Sequence, residues 1–222
     1  SYLFNAGSSP LDAVTETLIK DTPENKSTHY YVPGDVVGGS KALLTSNKDE
    51  LVRAMKWLGE KEDTVFLGQV CAVSGHSISS TLGDVPMDKR IELPVFEEMQ
   101  LGMSTGMALE GYTTITMYPR FDFFILACNQ LVNHLDKMEE MSKGDMKPRV
   151  IIRVSVGSKH PIDAGPQHTQ NHTEAFKKML TNINIVELIE PENIFPAFKH
   201  AYEREDSKPT LIIEYGEYYG TK

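Results

Sequence analysis

Two adjacent carboxylates, Glu97 and Glu98, stand where the chain passes from a hydrophobic strand pattern into a helical one. In an open parallel sheet, ligands bind in the crevice at the carboxyl ends of the strands, so a carboxylate at this junction is placed to exchange a proton with a ligand. A structural explanation is also open, because acidic residues at a helix N-terminus interact favourably with the helix dipole. Gly102 and Gly106 then allow one face of this helix to approach another backbone closely.

Histidine is the other residue type here that is suited to proton transfer. His168 stands apart from the other histidines because it lies in a segment rich in Gly, Pro and Gln after a strong strand pattern. His172 follows four residues later, but a metal site at this spacing needs a helix and a third ligand, whereas Pro166 and its polar neighbours favour a loop. No metal site is predicted. His76, in the loop after the first predicted strand, is expected to approach the same crevice.

The elements that must position these residues follow from hydrophobic periodicity. Segments rich in β-branched residues predict six strands, at 64–70, 90–95, 113–118, 149–156, 183–189 and 209–215. Helical spacing of apolar residues predicts helices at 49–61, 98–110, 124–141 and 192–203. Strands that alternate with helices of this length imply right-handed crossovers and a mainly parallel sheet. We therefore predict a three-layer α/β domain over residues 48–222.

Residues 1–47 are rich in Ser, Gly, Pro and Asn, and they predict an N-terminal arm with a short helix at 11–20 and an extended stretch at 29–32. The net charge of -9 argues against nucleic-acid binding, which needs clustered Lys and Arg. No apolar run approaches the roughly 20 residues of a membrane-spanning helix. Cys71 and Cys128 lie in hydrophobic stretches, and the N-terminus lacks the pattern of a signal peptide, so a cytoplasmic protein is expected.

A longer pattern begins at Glu97. It reads E-x4-G-x3-G-x4-G through Gly111, followed by a strand and the aromatic stretch YPRFDFF at 118–124. It continues through ACNQLVN at 127–133, the strand at 150–156 and QHTQ at 167–170. From about residue 48 to 215, this combination resembles the beta chain of 2-oxo acid dehydrogenases, of the transketolase superfamily. The resemblance implies a thiamine-diphosphate-binding fold and identifies the segment with the domain that binds the pyrimidine ring of the cofactor.

The resemblance also implies roles for individual residues. Glu97 falls on the glutamate that contacts the pyrimidine ring and promotes the reactive tautomer of thiamine diphosphate, which is a catalytic as well as a binding role. Phe123 falls on the aromatic residue that stacks on that ring. His168 falls on the active-site histidine that contacts substrate-derived atoms, and His76 is expected beside the cofactor. Gln69 stands where the family usually has an acidic residue.

The diphosphate end of the cofactor has no recognisable site in the sequence. The family marks that site, and its magnesium ion, with Gly-Asp-Gly and a later Asn, whereas the nearest string here is GDVVGG at 34–39. The resemblance therefore implies that a partner chain holds the diphosphate and the magnesium, with a homodimer of this chain inside a heterotetramer. The family's beta chain also carries a C-terminal domain, which is expected to be separate or absent here.

Three functions are compatible with these observations. The first is the pyrimidine-binding subunit of a heteromeric enzyme that decarboxylates a 2-oxo acid and transfers the acyl or aldehyde unit. The second is a split transketolase-like or synthase-like subunit that transfers a two-carbon unit from a sugar. The third is a catalytically silent assembly subunit, against which the joint presence of Glu97, Phe123 and His168 argues.

Overall fold

The computed structural model describes residues 46–73, 76–160 and 163–219. Within these ranges six strands form one sheet in the order β2-β1-β3-β4-β6-β5, and all neighbouring strands run parallel. The predicted α/β class with a mainly parallel sheet is therefore confirmed. Residues 1–45, which include the predicted helix at 11–20 and the extended stretch at 29–32, lie outside the described residues. The strands are β1 (Thr64–Gly68), β2 (Arg90–Glu92), β3 (Thr113–Tyr118), β4 (Val150–Val156), β5 (Asn184–Glu187) and β6 (Thr210–Tyr215).

Helices cover both faces of the sheet and make it a three-layer structure. Alternate strand residues point to opposite faces, so Ile151 of β4 joins one hydrophobic cluster and Ile152 joins the other. The first cluster holds α1 and α6, and the second holds α2, α3 and α5. No helix in the described part of the chain is long and apolar enough to cross a bilayer. The helices are α1 (Asn47–Gly59), α2 (Glu97–Leu109), α3 (Phe121–Phe124), α4 (Met138–Met141), α5 (Thr173–Met179) and α6 (Pro191–Glu203).

The segment 121–141 is helical but less regular than predicted. It begins at α3 and ends at α4, and between them lie 3₁₀ turns at Ile125–Ala127 and Leu135–Lys137 and a π turn at Asn129–His134. The spacing of apolar residues cannot distinguish 3₁₀ or π turns from α-helical turns. A single wider or tighter turn moves the apolar face only a small way around the helix. The prediction of a single regular helix was therefore wrong in this respect.

Two further differences have local causes. Strand β1 ends at Gly68, because the backbone N–H groups of Val70 and Ala72 donate to the Glu92 carboxylate at 2.7 Å each. Helix α5 was not predicted. Its only buried residues are Thr173 and Phe176, and two positions are too few to show the periodicity of a helix.

The strand order creates a switch point between β1 and β3. After β1 the chain crosses to β2 on one side, whereas after β3 it crosses to β4 on the other. The two loops leave the sheet in opposite directions and open a crevice at the carboxyl ends of these strands, which is where ligands bind in sheets of this kind.

Candidate cofactor site

A cavity of about 190 Å³ lies at this switch point, and we call it the Glu97 cavity. The four site residues predicted from the sequence all line it, although they follow four different strands. His76 comes after β1, Glu97 after β2, Phe123 after β3 and His168 after β4. The structure thus brings the predicted residues together, while their roles stay predictions. The full lining is Gln69, His76, Glu97, Tyr118, Pro119, Arg120, Phe123 and His168.

Glu97 and Glu98 have different surroundings, which the sequence did not resolve. Glu97 is the first residue of α2 and is 4% exposed, and its Oε1 accepts a hydrogen bond from Gln69 Nε2 at 3.0 Å. Among the described residues no hydrogen bond reaches its second oxygen, so that oxygen remains available to a ligand. Glu98 does not line the cavity, and its Oε1 accepts a bond from Asn129 Nδ2 at 2.8 Å.

The position of Glu97 is fixed by contacts of Gln100, which lies about one helical turn further along α2. The buried Gln100 amide donates to Thr116 Oγ1 at 2.9 Å and to the Met117 carbonyl at 2.8 Å, which ties α2 to β3. Gly68 permits this close approach, because a Cβ there would lie 2.5 Å from the Met117 oxygen and its φ is +149°. The Glu97 carboxylate is therefore held by the packing of two core elements and not by a mobile loop.

The three phenylalanines of the aromatic stretch differ in their exposure to solvent. Phe121 and Phe124 are fully buried in the core, whereas Phe123 is 42% exposed and lines the cavity. The Phe123 ring meets the His168 ring edge-on, with centroids 5.4 Å apart and planes at 79°. Its exposed face is available for stacking on a flat heteroaromatic ring.

His168 is positioned by backbone contacts on both sides of its loop. A Cβ at Gly157 would lie 1.7 Å from the His168 carbonyl oxygen, so only glycine allows the two backbones to pass this closely. Two residues after His168, the Gln170 backbone N–H and side-chain amide donate to Asp122 Oδ1, at 3.3 and 2.8 Å. The loop is therefore attached to β4 and to α3.

His76 is half-buried, and its Nδ1 accepts a hydrogen bond from the Ile78 backbone N–H at 3.2 Å. This bond places the proton of the neutral ring on Nε2. Burial, and then the positive charge of Arg120, lower the pKa of His76 below its ordinary value. The ring is therefore neutral at pH 7, with Nε2–H as a donor.

Four lining residues were not predicted as site residues: Gln69, Tyr118, Pro119 and Arg120. Gln69 was assigned to the strand that in fact ends at Gly68. Tyr118 was assigned to a strand as well, and its hydroxyl lies 3.4 Å from the Glu97 carbonyl oxygen, to which it donates. Burial, and to a smaller extent the Glu97 charge, raise the pKa of Tyr118, which remains a phenol. Arg120 follows β3 by two residues, and the rule that ligands bind at the carboxyl ends of parallel strands would have found it.

His172 lies apart from this arrangement. Its ring packs edge-on against Phe121, with centroids 5.5 Å apart, and it does not line the Glu97 cavity. No group of three or more His, Cys, Asp or Glu side chains with the spacing of a metal site is found within the described ranges.

Comparison with known families adds the decisive observation. Residues 35–220 match the family model described as transketolase, pyrimidine binding domain. The chain belongs to this family. The match covers most of the chain and includes every element described above, so the family resemblance inferred from the Glu97 pattern is confirmed.

Relatives of this pyrimidine-binding domain include subunits of two dehydrogenases. The chain is 26% identical over 189 residues to the chloroplastic pyruvate dehydrogenase E1 component subunit beta-3 of Oryza sativa, covering 83% of this chain and 46% of the relative. It is 25% identical over 211 residues to the mitochondrial pyruvate dehydrogenase E1 component subunit beta of Saccharomyces cerevisiae, covering 92% and 56%. It is also 25% identical over 205 residues to the 3-methyl-2-oxobutanoate dehydrogenase subunit beta of Mycobacterium tuberculosis, covering 89% and 56%.

Among solved structures, the chain is similar to a split gene transketolase described as an inactive beta4 tetramer. The TM-score is 0.52 at 16% identity, over 77% of this chain and 51% of that one. At this identity the likeness supports the fold alone. The pyrimidine-binding domain described here spans about half the length of the relatives that it matches.

Proposed function

We propose that this chain supplies the pyrimidine-binding half of the active site in a heteromeric thiamine-diphosphate enzyme that decarboxylates a 2-oxo acid and transfers the acyl or aldehyde unit. The observation that carries the proposal is the Glu97 cavity, where a buried carboxylate, an exposed aromatic ring and two histidines meet at the switch point of the sheet. The dehydrogenase subunits among the relatives support the choice of a 2-oxo acid over a sugar substrate.

The cavity fits the pyrimidine ring in size and in chemistry. Its volume of about 190 Å³ exceeds the roughly 150 Å³ of an engineered cavity that binds benzene. Glu97 offers its second carboxylate oxygen at the buried end, and Phe123 offers a ring face at the open end. A flat ring with a protonated nitrogen at its edge would satisfy both groups.

When bound, thiamine diphosphate would supply a nucleophilic carbon for the substrate carbonyl and a positively charged thiazolium ring that takes up the electron pair released by bond cleavage. Glu97 would hold a proton at the ring nitrogen, which favours the reactive tautomer. The Gln69 amide orients that carboxylate, and Phe123 holds the plane of the ring. His168, whose backbone passes close to Gly157, would donate a proton or a hydrogen bond to substrate-derived oxygen. His76, neutral at pH 7, would provide a further donor through Nε2.

The other half of the site is proposed to lie on a partner chain that holds the diphosphate and the magnesium ion. We propose the arrangement of two such chains and two copies of this chain, with the copies in contact. Because the Glu97 cavity offers contacts for the pyrimidine ring and not for the diphosphate, the isolated chain should bind thiamine diphosphate weakly or not at all. Calorimetric titration in the presence of magnesium checks this expectation, and tight stoichiometric binding would contradict it.

The compartment is proposed to be reducing, as in the cytoplasm, because Cys71 and Cys128 are both free thiols. The names of some relatives carry the words chloroplastic and mitochondrial, which apply to those proteins.

The function is tested by substituting the two neighbouring carboxylates in the partner-bound enzyme. Glu97→Gln keeps the shape and a hydrogen bond but removes the proton-sharing group, so activity should fall by about 10²–10⁴-fold. Glu98→Gln, whose carboxylate contacts Asn129 outside the cavity, should lower activity by less than about tenfold.

The measurement that needs no knowledge of the substrate is proton–deuterium exchange at the thiazolium carbon of the cofactor. Exchange should be slow in the Glu97→Gln complex and unchanged in the Glu98→Gln complex. Equally fast exchange in the Glu97→Gln and unmodified complexes, or damage confined to Glu98→Gln, would overturn the assignment of Glu97.

A further inference from the structure

Arg120 brings a positive charge into the Glu97 cavity, and no carboxylate of the described residues, Glu97 included, forms an ion pair with it. Across the described ranges no ion pair within 4.0 Å involves Arg120, and the same holds for Arg90 and Arg149, but neither of those two lines the Glu97 cavity. Its Nη1 donates to the adjacent Pro119 carbonyl at 2.8 Å, and its Nε is buried with no hydrogen-bond partner. A buried donor on a charged group is costly to leave unpaired, so this guanidinium is well suited to an anionic ligand.

The place of Arg120 within the cavity limits what that ligand is. Glu97 and Tyr118 form the buried end, at 4% and 1% exposure, whereas Arg120, Phe123 and His168 are more exposed and form the open end. Under the proposed function the pyrimidine ring occupies the end at Glu97. Arg120 is then left for the substrate, beside the histidine that is proposed to contact substrate-derived atoms.

The chemistry of decarboxylation excludes one obvious anion. As the bond to the reacting carboxylate breaks, its charge moves onto the remaining fragment, so a guanidinium paired with that carboxylate would stabilise the ground state more than the transition state. An ion pair between a guanidinium and a different anionic group persists in the ground state and in the transition state. It therefore strengthens substrate binding without raising the barrier to decarboxylation. An arginine at this position is therefore compatible with catalysis when it binds an anion remote from the reaction.

We propose that Arg120 determines substrate specificity by binding a second anionic group of the substrate, a carboxylate or a phosphate carried away from the reacting carbonyl. The planar guanidinium matches both groups, because each can accept two parallel hydrogen bonds. This inference rests on the proposed function. It narrows the substrate class to 2-oxo acids that carry a second carboxylate or a phosphate, and the two are separated by the probes used below.

A first test uses the full chain and no catalysis. The Nε–H signal of Arg120 is identified in a ¹H–¹⁵N spectrum by its loss in Arg120→Gln, and the unmodified chain is titrated with sodium succinate and with inorganic phosphate. Saturable movement of that signal by one anion supports the proposal and names its source. The Nε–H of Arg53, whose side chain is 61% exposed, reports non-specific ionic effects. Movement of both signals to the same extent, or of neither, would overturn the proposal.

A second test uses the partner-bound enzyme with pyruvate, 2-oxoglutarate and a phosphorylated 2-oxo acid as substrates. Arg120→Gln should lower kcat/KM for the substrate with the second anionic group by about 10- to 100-fold, mainly through KM, while pyruvate changes by less than about 3-fold. Arg120→Lys should retain part of the effect, and Arg53→Gln is the matched control. Equal losses on all three substrates, or no loss on any of them, would refute the role in specificity.

A measurement of cofactor activation shows whether a failure concerns this inference or the proposed function. Proton–deuterium exchange at the thiazolium carbon is measured without substrate in the unmodified complex and in Arg53→Gln, and it should be equally fast in both. If the unmodified complex shows no exchange, the proposed function fails. If exchange is normal but selectivity does not depend on Arg120, only the specificity role fails.

Discussion

Gly157→Ala is expected to displace His168 from the Glu97 cavity, although Gly157 itself is not one of the lining residues. An added Cβ would lie 1.7 Å from the His168 carbonyl oxygen and 2.9 Å from its carbonyl carbon, whereas ordinary contact begins at 3.4 Å. The His168 backbone must therefore retreat by roughly 1.5–2 Å, because β4 cannot move within the sheet. The neighbouring contact with Arg120 Cδ, at 3.7 Å, is tolerable and does not add to the strain.

The magnitude follows from this displacement. Overpacking of this kind costs about 1–3 kcal/mol, which for a domain of this size lowers Tm by about 2–12 °C. A catalytic group misplaced by about 1 Å loses roughly 10²-fold in rate, so kcat/KM of the partner-bound enzyme should fall by at least about that factor. The Phe123–His168 ring contact should be lost as well, which is visible as a changed chemical shift of the His168 ring protons.

Gly83→Ala is the matched control, because the same substitution there meets nothing within 4 Å and the backbone is already helical, with φ -49° and ψ -37°. It should leave activity unchanged and alter stability by about 0.4–1 kcal/mol in the favourable direction. Thermal unfolding and steady-state kinetics on both variants check the pair. A Gly157→Ala protein with unchanged Tm, unchanged kcat/KM and an unmoved His168 signal would refute the assignment of Gly157 as the residue that seats this loop.

Two further predictions concern stability and assembly. The buried Asp136 carboxylate accepts backbone N–H groups from 181–183, so Asp136→Asn should lower the free energy of unfolding by about 1–3 kcal/mol at pH 7. Burial alone would raise the pKa of Asp136, but the Lys137 bond and these backbone donors outweigh it and lower that pKa. The stability contribution is thus present above the unfolded-state value of about 4 and lost as pH falls through the lower folded-state pKa. Urea titrations from pH 7 to 3 should show the two proteins converging in acid. Leu126, 61% exposed beside other apolar side chains on the segment 121–141, is expected in the contact between copies. Light scattering should find at least a dimer for the unmodified chain and a smaller species for Leu126→Glu at unchanged Tm, and a monomeric unmodified chain would contradict this.

The strands and most helices were predictable because their signals are local. β-Branched runs placed all six strands within a few residues, and α1, whose start is marked by a Ser46–Asp49 capping box, begins two residues before its predicted start. Local sequence patterns failed to predict the end of a strand where a contact with a distant residue determines it. Strand β1 ends early because Glu92, far along the chain, takes the backbone donors of Val70 and Ala72.

The sequence by itself predicted the fold class and the family, which are confirmed, and it named Glu97, Phe123, His168 and His76, whose roles stay predictions. It did not decide between Glu97 and Glu98 on physical grounds, because neighbouring residues at a helix start share the same local pattern. Only the tertiary structure separates them, by tying α2 to β3 and burying Glu97 at the switch point. It alone also brings Arg120 into the same cavity without an acidic partner, because the order of parallel strands decides which loops meet at one edge of the sheet.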